Sequence, residues 1–502
     1  MSETISAPSE RQILGHPRGL STLFFTEMWE RFSYYGMRAL LVLFMTDQVV
    51  TGGLGFTDKT ATAIYGLYTA AVYLVALPGG WIADRLMGAQ KAVWFGGIII
   101  MAGHFVLAIP NLQAFFLGLV LVVLGTGLLK PNISAIVGEL YTAEDPRRDA
   151  GFTIFYMGIN VGAALGPIIC GGLGQSDRFG WHYGFAAAGS GMLFGLIQYK
   201  LSGGLLGEAG THISSTGDAA RDDERKRKGW IGVWTAVAVI AAVVGLALFG
   251  VISIDAVTLA KGMTYVICSV AAIYFIYVLA FAGLNTVEKK RVVVIIVLFL
   301  AAAMFWSGFE QAGSSLNLFA ERYTDRIVGS FEIPASWFQS LNAVFIILLA
   351  PLYASAWVWL AKRNMEPSTP FKFALGLIVL AMGFLTMVAA ATIVAAGDKA
   401  MPTWLILTYL LHTMGELTLS PVGLSATTKL APRRFVGQMM GIWFLATSLG
   451  NLIAGLIAGE FDAENVAAMP DQYWQIVLTT GGAGLLLLLF TKPVRKLMGG
   501  IH

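Results

Sequence analysis

Charge is what this sequence has least of. Only 13% of its 502 residues are Asp, Glu, Lys or Arg, against 56% hydrophobic, and the apolar residues come in long runs. No soluble fold of this size combines so little charge with so many such runs, so the chain reads as an all-α, polytopic membrane protein. Cysteine is nearly absent. Cys170 and Cys268 both fall inside apolar runs, which predicts no disulfide, and no ligand cluster suggests a metal. The first twenty residues are polar, without the apolar core and small-residue cleavage site of a signal peptide. There is no phosphate-cradling loop, which argues against direct drive by ATP. There is no Ser/His/Asp set and no soluble sensory region, which argues against an enzyme and a receptor. No cofactor is expected. The net charge of +3 says nothing for nucleic-acid binding, because the basic residues lie in loops between apolar runs.

What is present divides into fourteen expected spans. After a cytoplasmic tail (1–19), residues 20–201 read as a six-helix bundle, with spans near 20–46, 61–84, 91–110, 113–138, 152–174 and 183–201. A polar linker (202–228) carries the run Arg221-Asp-Asp-Glu-Arg-Lys-Arg-Lys228. Two inserted helices (229–291) follow, with spans near 229–250 and 262–283 and no ionisable residue in their middles. Residues 292–492 read as a second six-helix bundle, with spans near 292–320, 335–361, 371–396, 402–427, 435–459 and 473–492, before a cytoplasmic tail (493–502). Most of the 33 Lys and Arg fall in loops on one side, which places both termini in the cytoplasm. An internal repeat relates the two bundles. Pro131-Asn-Ile-Ser-Ala135 echoes Pro421-Val-Gly-Leu-Ser-Ala426, and Pro146-Arg-Arg148 echoes Pro432-Arg-Arg434. Two halves repeated in this way are expected to enclose a central site.

The first span is the exception to the scarcity of charge. Glu27, Glu30, Arg31, Tyr34 and Arg38 fall at i, i+3, i+4, i+7 and i+11, one face of an α-helix. Each ionisable group at that depth costs roughly 2.5–3.5 kcal/mol on insertion. Such a stripe must look onto partners or a water-filled cavity; a structural ion-pair knot is the alternative reading. At about 1.5 Å per residue, Lys130 on span 4 reaches the depth of Glu27 and Glu30 and can pair with either. Glu310 on span 7 reaches the depth of Arg38. Glu416 on span 10 lies near the middle with no basic residue near it on its own helix. The stripes His412/Glu416/Ser420 and Trp306/Glu310/Gly313/Asn317 follow helical spacing, and Asn160 and Asn342 add neutral donors and acceptors. His104 and His412 read as packing residues before proton carriers. A basic pole (Arg31, Lys130), an acidic pole (Glu416) and aromatic walls from Tyr34, Tyr35, Tyr68, Tyr73, Trp306 and Trp443 suit a small zwitterion. Carboxylates beside cations can also take up and release a proton.

These residues resemble a known signature. Glu27-x-x-Glu30-Arg31-Phe32-x-Tyr34-Tyr35-Gly36 is similar to that of the proton-dependent oligopeptide transporters, within the major facilitator superfamily. Gly80-x-x-Ala83-Asp84-Arg85-x-x-Gly88 resembles that superfamily's loop between helices 2 and 3. Phe155-Tyr156-x-x-Ile159-Asn160-x-Gly162 and Gly415-Glu416-Leu417-x-x-Ser420-Pro421-x-Gly423 resemble further motifs on helices 5 and 10. The resemblance implies two six-helix bundles with two extra helices, in a monomer of the bacterial inner membrane importing di- and tripeptides with protons by alternating access. It implies that Arg31 and Lys130 hold the peptide carboxylate, Glu416 the amino terminus, and Asn160 and Asn342 the backbone. Tyr34, Tyr73, Trp306, Trp443 and Ser420 would line side-chain pockets. Glu27, Glu30, Arg31 and Lys130, with Glu310, would couple the proton. Arg38–Glu310 would form an outer gate, and Lys130 would engage Glu416 when the inner side closes. The proton-coupling His of animal members falls here on Gly66. The rivals are nitrate or a peptide-like drug as substrate, and export of cationic drugs; Glu416 argues against the anion and the two cavity cations against the last.

Overall fold

The computed structural model describes residues 12–13, 15–142, 145–461 and 465–500. In chain order its α-helices are α1 (Gly19–Thr46), α2 (Asp58–Ile82), α3 (Ala89–Leu107), α4 (Leu112–Glu139), α5 (Arg148–Gly174), α6 (Trp181–Ser202), α7 (Ala219–Leu248) and α8 (Ala256–Ala280). Then come α9 (Thr286–Phe309), α10 (Ser315–Tyr323), α11 (Ser340–Lys362), α12 (Thr369–Ala395), α13 (Pro402–Leu430), α14 (Val436–Ala458), α15 (Met469–Leu489) and α16 (Thr491–Leu497). Among the described residues, the only strands are two-residue pairs at Gln12–Ile13/His16–Pro17 and Ile327–Val328/Phe331–Glu332. Among the described residues, ten helical stretches are long and apolar enough to cross a membrane, and α15, bent by 63° from α16, adds another. α1, α6 and α13, at 28, 22 and 29 residues, are also long enough to span, which agrees roughly with the fourteen expected.

The chain forms two compact units, through both of which α1 and α2 run. One comprises 1–37, 75–174 and 182–253. Its core gathers Leu20 and Leu23 of α1, Val93 and Ile100 of α3, Leu129 and Ile133 of α4, Phe155 of α5 and Met192 of α6. α3 and α4 lie close along their length, small residues facing each other at Gly96/Gly125 and Gly103/Gly118, as suits helices packed without a hydrophobic driving force. α4 starts where the Asn111 side chain accepts from the amides of Gln113 (2.8 Å) and Ala114 (3.1 Å). Ala83–Met87 form a wide π-turn, ended by Gly88 at φ 83°. The linker is ordered against this end of the unit. Gln90 donates to the carbonyls of Gly207 (3.1 Å) and Ala209 (2.7 Å), Glu139 accepts from the Gly210 amide (2.7 Å), and the Ser214 amide reaches the Asp84 carbonyl (2.8 Å). α7 begins inside the expected linker, so the basic run Arg221–Lys228 is helical; α7 buries none of its side chains.

The second unit comprises 38–74, 175–181 and 254–502. α12 packs between α13 and α15, and α14 against α8 and α9. α8 buries Ala260, Ile267, Ala271, Phe275 and Val278, with Phe275 edge-on to Phe299 at 5.8 Å. The two inserted helices, both apolar in their middles, therefore differ: α7 buries no side chain and α8 is seated against α14 and α9. α9 starts with a capping box between Asn285 and Glu288. The span expected over 292–320 is broken. α9 stops at Phe309, Glu310–Gly313 tighten into a 3₁₀ turn, and α10 restarts at Ser315. At this break the Gln311 side-chain amide is held at both ends: its Nε2 donates to the Ala454 carbonyl (3.3 Å), and its Oε1 accepts from Ser315 Oγ (2.5 Å).

Candidate functional site

In the first unit the charged face of α1 closes on itself. Arg31 Nε lies 3.0 Å from Glu27 Oε1 and forms a second ion pair with Glu30. All three residues are buried. The Arg31 guanidinium sits 5.2 Å from the centroid of the Tyr34 ring, and Tyr34 meets Tyr35 edge-on at 5.2 Å. Helix α5 presses on this face. Gly162 fits under the Met28 carbonyl and the Arg31 Cβ, where an added methyl would collide with backbone. Lys130, one residue before the Pro131 of α4, is half-buried and within electrostatic reach of Glu27. The Asn132 side chain holds this stretch of α4, donating to Leu128 O (2.6 Å) and Gly79 O (3.3 Å). Asn160 is buried and donates to the carbonyl of Tyr156 on its own helix, at 2.9 Å.

In the second unit Arg38 meets Glu310 at 2.5 Å through Nη2 and donates through Nε to the Tyr65 hydroxyl at 2.6 Å. Arg38 and Glu310 are buried. Tyr65 also lies against Gly313, so it touches both the ion pair and the break in the span. Further along, the Arg322 guanidinium grips Asp58 with two bonds, at 2.5 and 2.7 Å. Glu416 is placed differently. Its Oε2 accepts from Asn342 Nδ2 at 2.9 Å, and among the described residues of this unit no Lys or Arg forms an ion pair with it. Trp306, half-buried, stands edge-on to Phe305 (5.5 Å) and Phe309 (5.3 Å). Trp443 is buried and edge-on to Phe373 at 6.2 Å. Tyr68 is buried, while Tyr73 and Ser420 are half-buried.

Gly66 is explained by packing. A Cβ there would lie 3.0 Å from the Asn451 carbonyl and 3.2 Å from the Gly455 Cα, so a side chain at this position presses on the backbone of α14, which must give by a few tenths of an ångström. His412 lies off the polar stripe drawn through it in the sequence: its ring is 4.7 Å from Phe384 and 6.4 Å from Phe309. The polar face of α13 instead runs Tyr409, Thr413, Glu416, Ser420, at i, i+4, i+7 and i+11. Thr413, Tyr409 and Tyr65 were missed from the sequence. Their helical register was legible, but neutral hydroxyl groups at membrane depth attract no notice beside Glu and Arg.

Long apolar helices in this number, with buried ion pairs and the half-buried Glu416 carboxylate inside them, define a multi-pass membrane transporter. The chain belongs to the POT family, whose sequence model matches residues 90–474. It is 44% identical over 506 residues to a peptide transporter of Yersinia enterocolitica, covering 99% of this chain and 98% of that one. It is 38% identical over 505 residues to a di-/tripeptide transporter of Lactococcus lactis, covering 98% and 99%. A crystal structure of a peptide transporter in complex with sulfate superposes with a TM-score of 0.89 at 41% identity, covering 98% of each chain. The fold is that of the major facilitator superfamily.

Proposed function

We propose that this protein is a proton-coupled symporter that imports di- and tripeptides by alternating access across a bacterial inner membrane, as a monomer with both termini in the cytoplasm. Its repeated halves are 20–201 and 292–492. Arg31 and Lys130 hold the peptide carboxylate, Glu416 the amino terminus, and Asn160 and Asn342 the peptide backbone. Tyr34, Tyr35, Tyr68, Tyr73, Trp306, Ser420 and Trp443 surround the side chains. Arg38–Glu310 serves as the outer gate, and Lys130 engages Glu416 on inner closure.

The observation that carries this reading is the Arg31 cluster. Two carboxylates, Glu27 and Glu30, share Arg31, and Lys130 lies within reach of Glu27. Two negative charges then face two positive ones. A peptide carboxylate arriving at Arg31 and Lys130 makes three negatives against two positives in a place with little water. The least costly relief is a proton on Glu27 or Glu30. Peptide and proton therefore enter together. The test is uptake of labelled dialanine into liposomes holding the purified protein, under an inward proton gradient. Accumulation that collapses with a protonophore is the expected result. No accumulation by a folded sample overturns peptide symport.

A further inference from the structure

Thr413 is fully buried on α13, one turn before Glu416. Its hydroxyl donates to the Tyr409 carbonyl at 2.7 Å, so its single proton is committed within the helix. Toward every other neighbour Thr413 Oγ1 can only accept. The neighbour it meets is Asn342 of α11, whose Nδ2 lies 3.0 Å from Thr413 Oγ1 and 2.9 Å from Glu416 Oε2. An amide has two N–H bonds on one atom and none on the other. Thr413 accepts one, which turns the nitrogen and not the oxygen toward α13. The second N–H is thereby aimed at Glu416.

We propose that Thr413 is a positioning residue for recognition of the peptide's amino terminus, acting through Asn342. It fixes the Asn342 amide so that only a donor faces Glu416. A donor beside Glu416 favours the carboxylate form. That is the form able to attract an ammonium group. Without the Thr413 hydroxyl the amide can rotate by half a turn and offer Oδ1 to Glu416. The carboxylate then loses its donor and gains a repelling acceptor. Asn342 is thus held by α13 rather than free to serve the peptide backbone alone. This inference rests on the assignment of the amino terminus to Glu416.

The test uses the full protein in liposomes and two competitors of labelled dialanine uptake: dialanine itself, and propionyl-alanine, which is dialanine without its amine. The wild type should prefer dialanine by at least ~tenfold in inhibition constant. Thr413→Val should narrow that preference by about three- to tenfold, mostly by weakening dialanine. Thr413→Ser, which keeps the hydroxyl, should restore it. Thr413→Ala gives the same readout where valine impairs folding. A structural role would weaken both competitors alike and leave their ratio intact. An unchanged ratio in folded Thr413→Val and Thr413→Ala, beside a strong wild-type preference, overturns the role of Thr413 alone. A wild type that takes both competitors equally overturns the assignment to Glu416 and this inference with it.

Discussion

Arg31 and Arg38 lie seven residues apart on α1, and each is buried with carboxylate for company. Arg31 is shared by two carboxylates and stacks on an aromatic ring. Arg38 has one carboxylate, Glu310, and a tyrosine hydroxyl that accepts from its remaining edge. The second arrangement is balanced and closed. A buried one-to-one pair is weak as a source of stability but costly to break, because either partner alone is an uncompensated charge. That suits a latch. The first arrangement has one carboxylate more than its arginine can neutralise, and it depends on Lys130 for the rest. A group arriving or leaving there changes the count, and a proton is the cheapest correction. One helix thus carries a site whose charge can vary next to one whose charge cannot.

The sharpest way to break this contrast is Glu30→Gln, which turns the Arg31 cluster into one arginine with one carboxylate. Gradient-driven uptake of dialanine should fall to the protonophore background, while exchange of labelled for unlabelled peptide persists. Loss of both activities would assign Glu30 to structure. Arg38→Ala attacks the other side. It strands Glu310 in the membrane and should cost about 3–5 kcal/mol of stability, read as a lower unfolding temperature in detergent. Glu310→Gln, which leaves a neutral acceptor for the guanidinium, should cost less. Glu416→Gln tests the carboxylate whose partner among the described residues is an amide, Asn342, and not an arginine. The KM for dialanine should rise by about ten- to a hundredfold, with little change in the unfolding temperature, since no ion pair is broken.

The smallest effect is expected outside the membrane. Asp222 accepts from the Ser215 hydroxyl at 2.5 Å and from the amide and hydroxyl of Thr216, which hold its carboxyl down to about 2 from an ordinary 3.8. A carboxyl lowered in the folded state lends its contribution fully above its unfolded value and loses it as pH falls through the folded one. Hydrogen exchange at the Thr216 amide should therefore stay slow from pH 7 to about pH 4 and quicken, after correction for intrinsic rates, only as pH drops toward about 2. Quickening between pH 7 and 5 would contradict that. Compared with the buried pairs, this exposed clasp measures how much of their rigidity comes from burial.

Much of this was legible in the sequence, for physical reasons. Charge at membrane depth is so costly that Glu27, Glu30, Arg31, Arg38, Lys130, Glu310 and Glu416 announce themselves, and the 3.6-residue period puts the first four on one face. Counting depth along each span was enough to bring Arg38 to the level of Glu310. The break at Glu310–Ser314 was not legible, because the apolar run continues on both sides of it and the contact that anchors it, from the Gln311 side chain to the Ala454 carbonyl, is distant in sequence. The contrast between α7 and α8 was hidden too. Both read as lipid-facing, and only packing against α14 and α9 distinguishes α8. Thr413 escaped notice because its role lies in where its one proton goes, which depends on a contact with α11 that spacing alone does not give.

The central claim is that the excess carboxylate of the Arg31 cluster makes peptide movement carry protons. It is tested most directly by enclosing a pH-sensitive dye in liposomes with the protein, setting equal pH on both sides, and adding dialanine outside. The account predicts that the interior acidifies in step with peptide entry for the wild type. It predicts no acidification for Glu30→Gln, even while that variant equilibrates labelled peptide. Peptide entry without acidification in the wild type, or equal acidification in the variant, would contradict it.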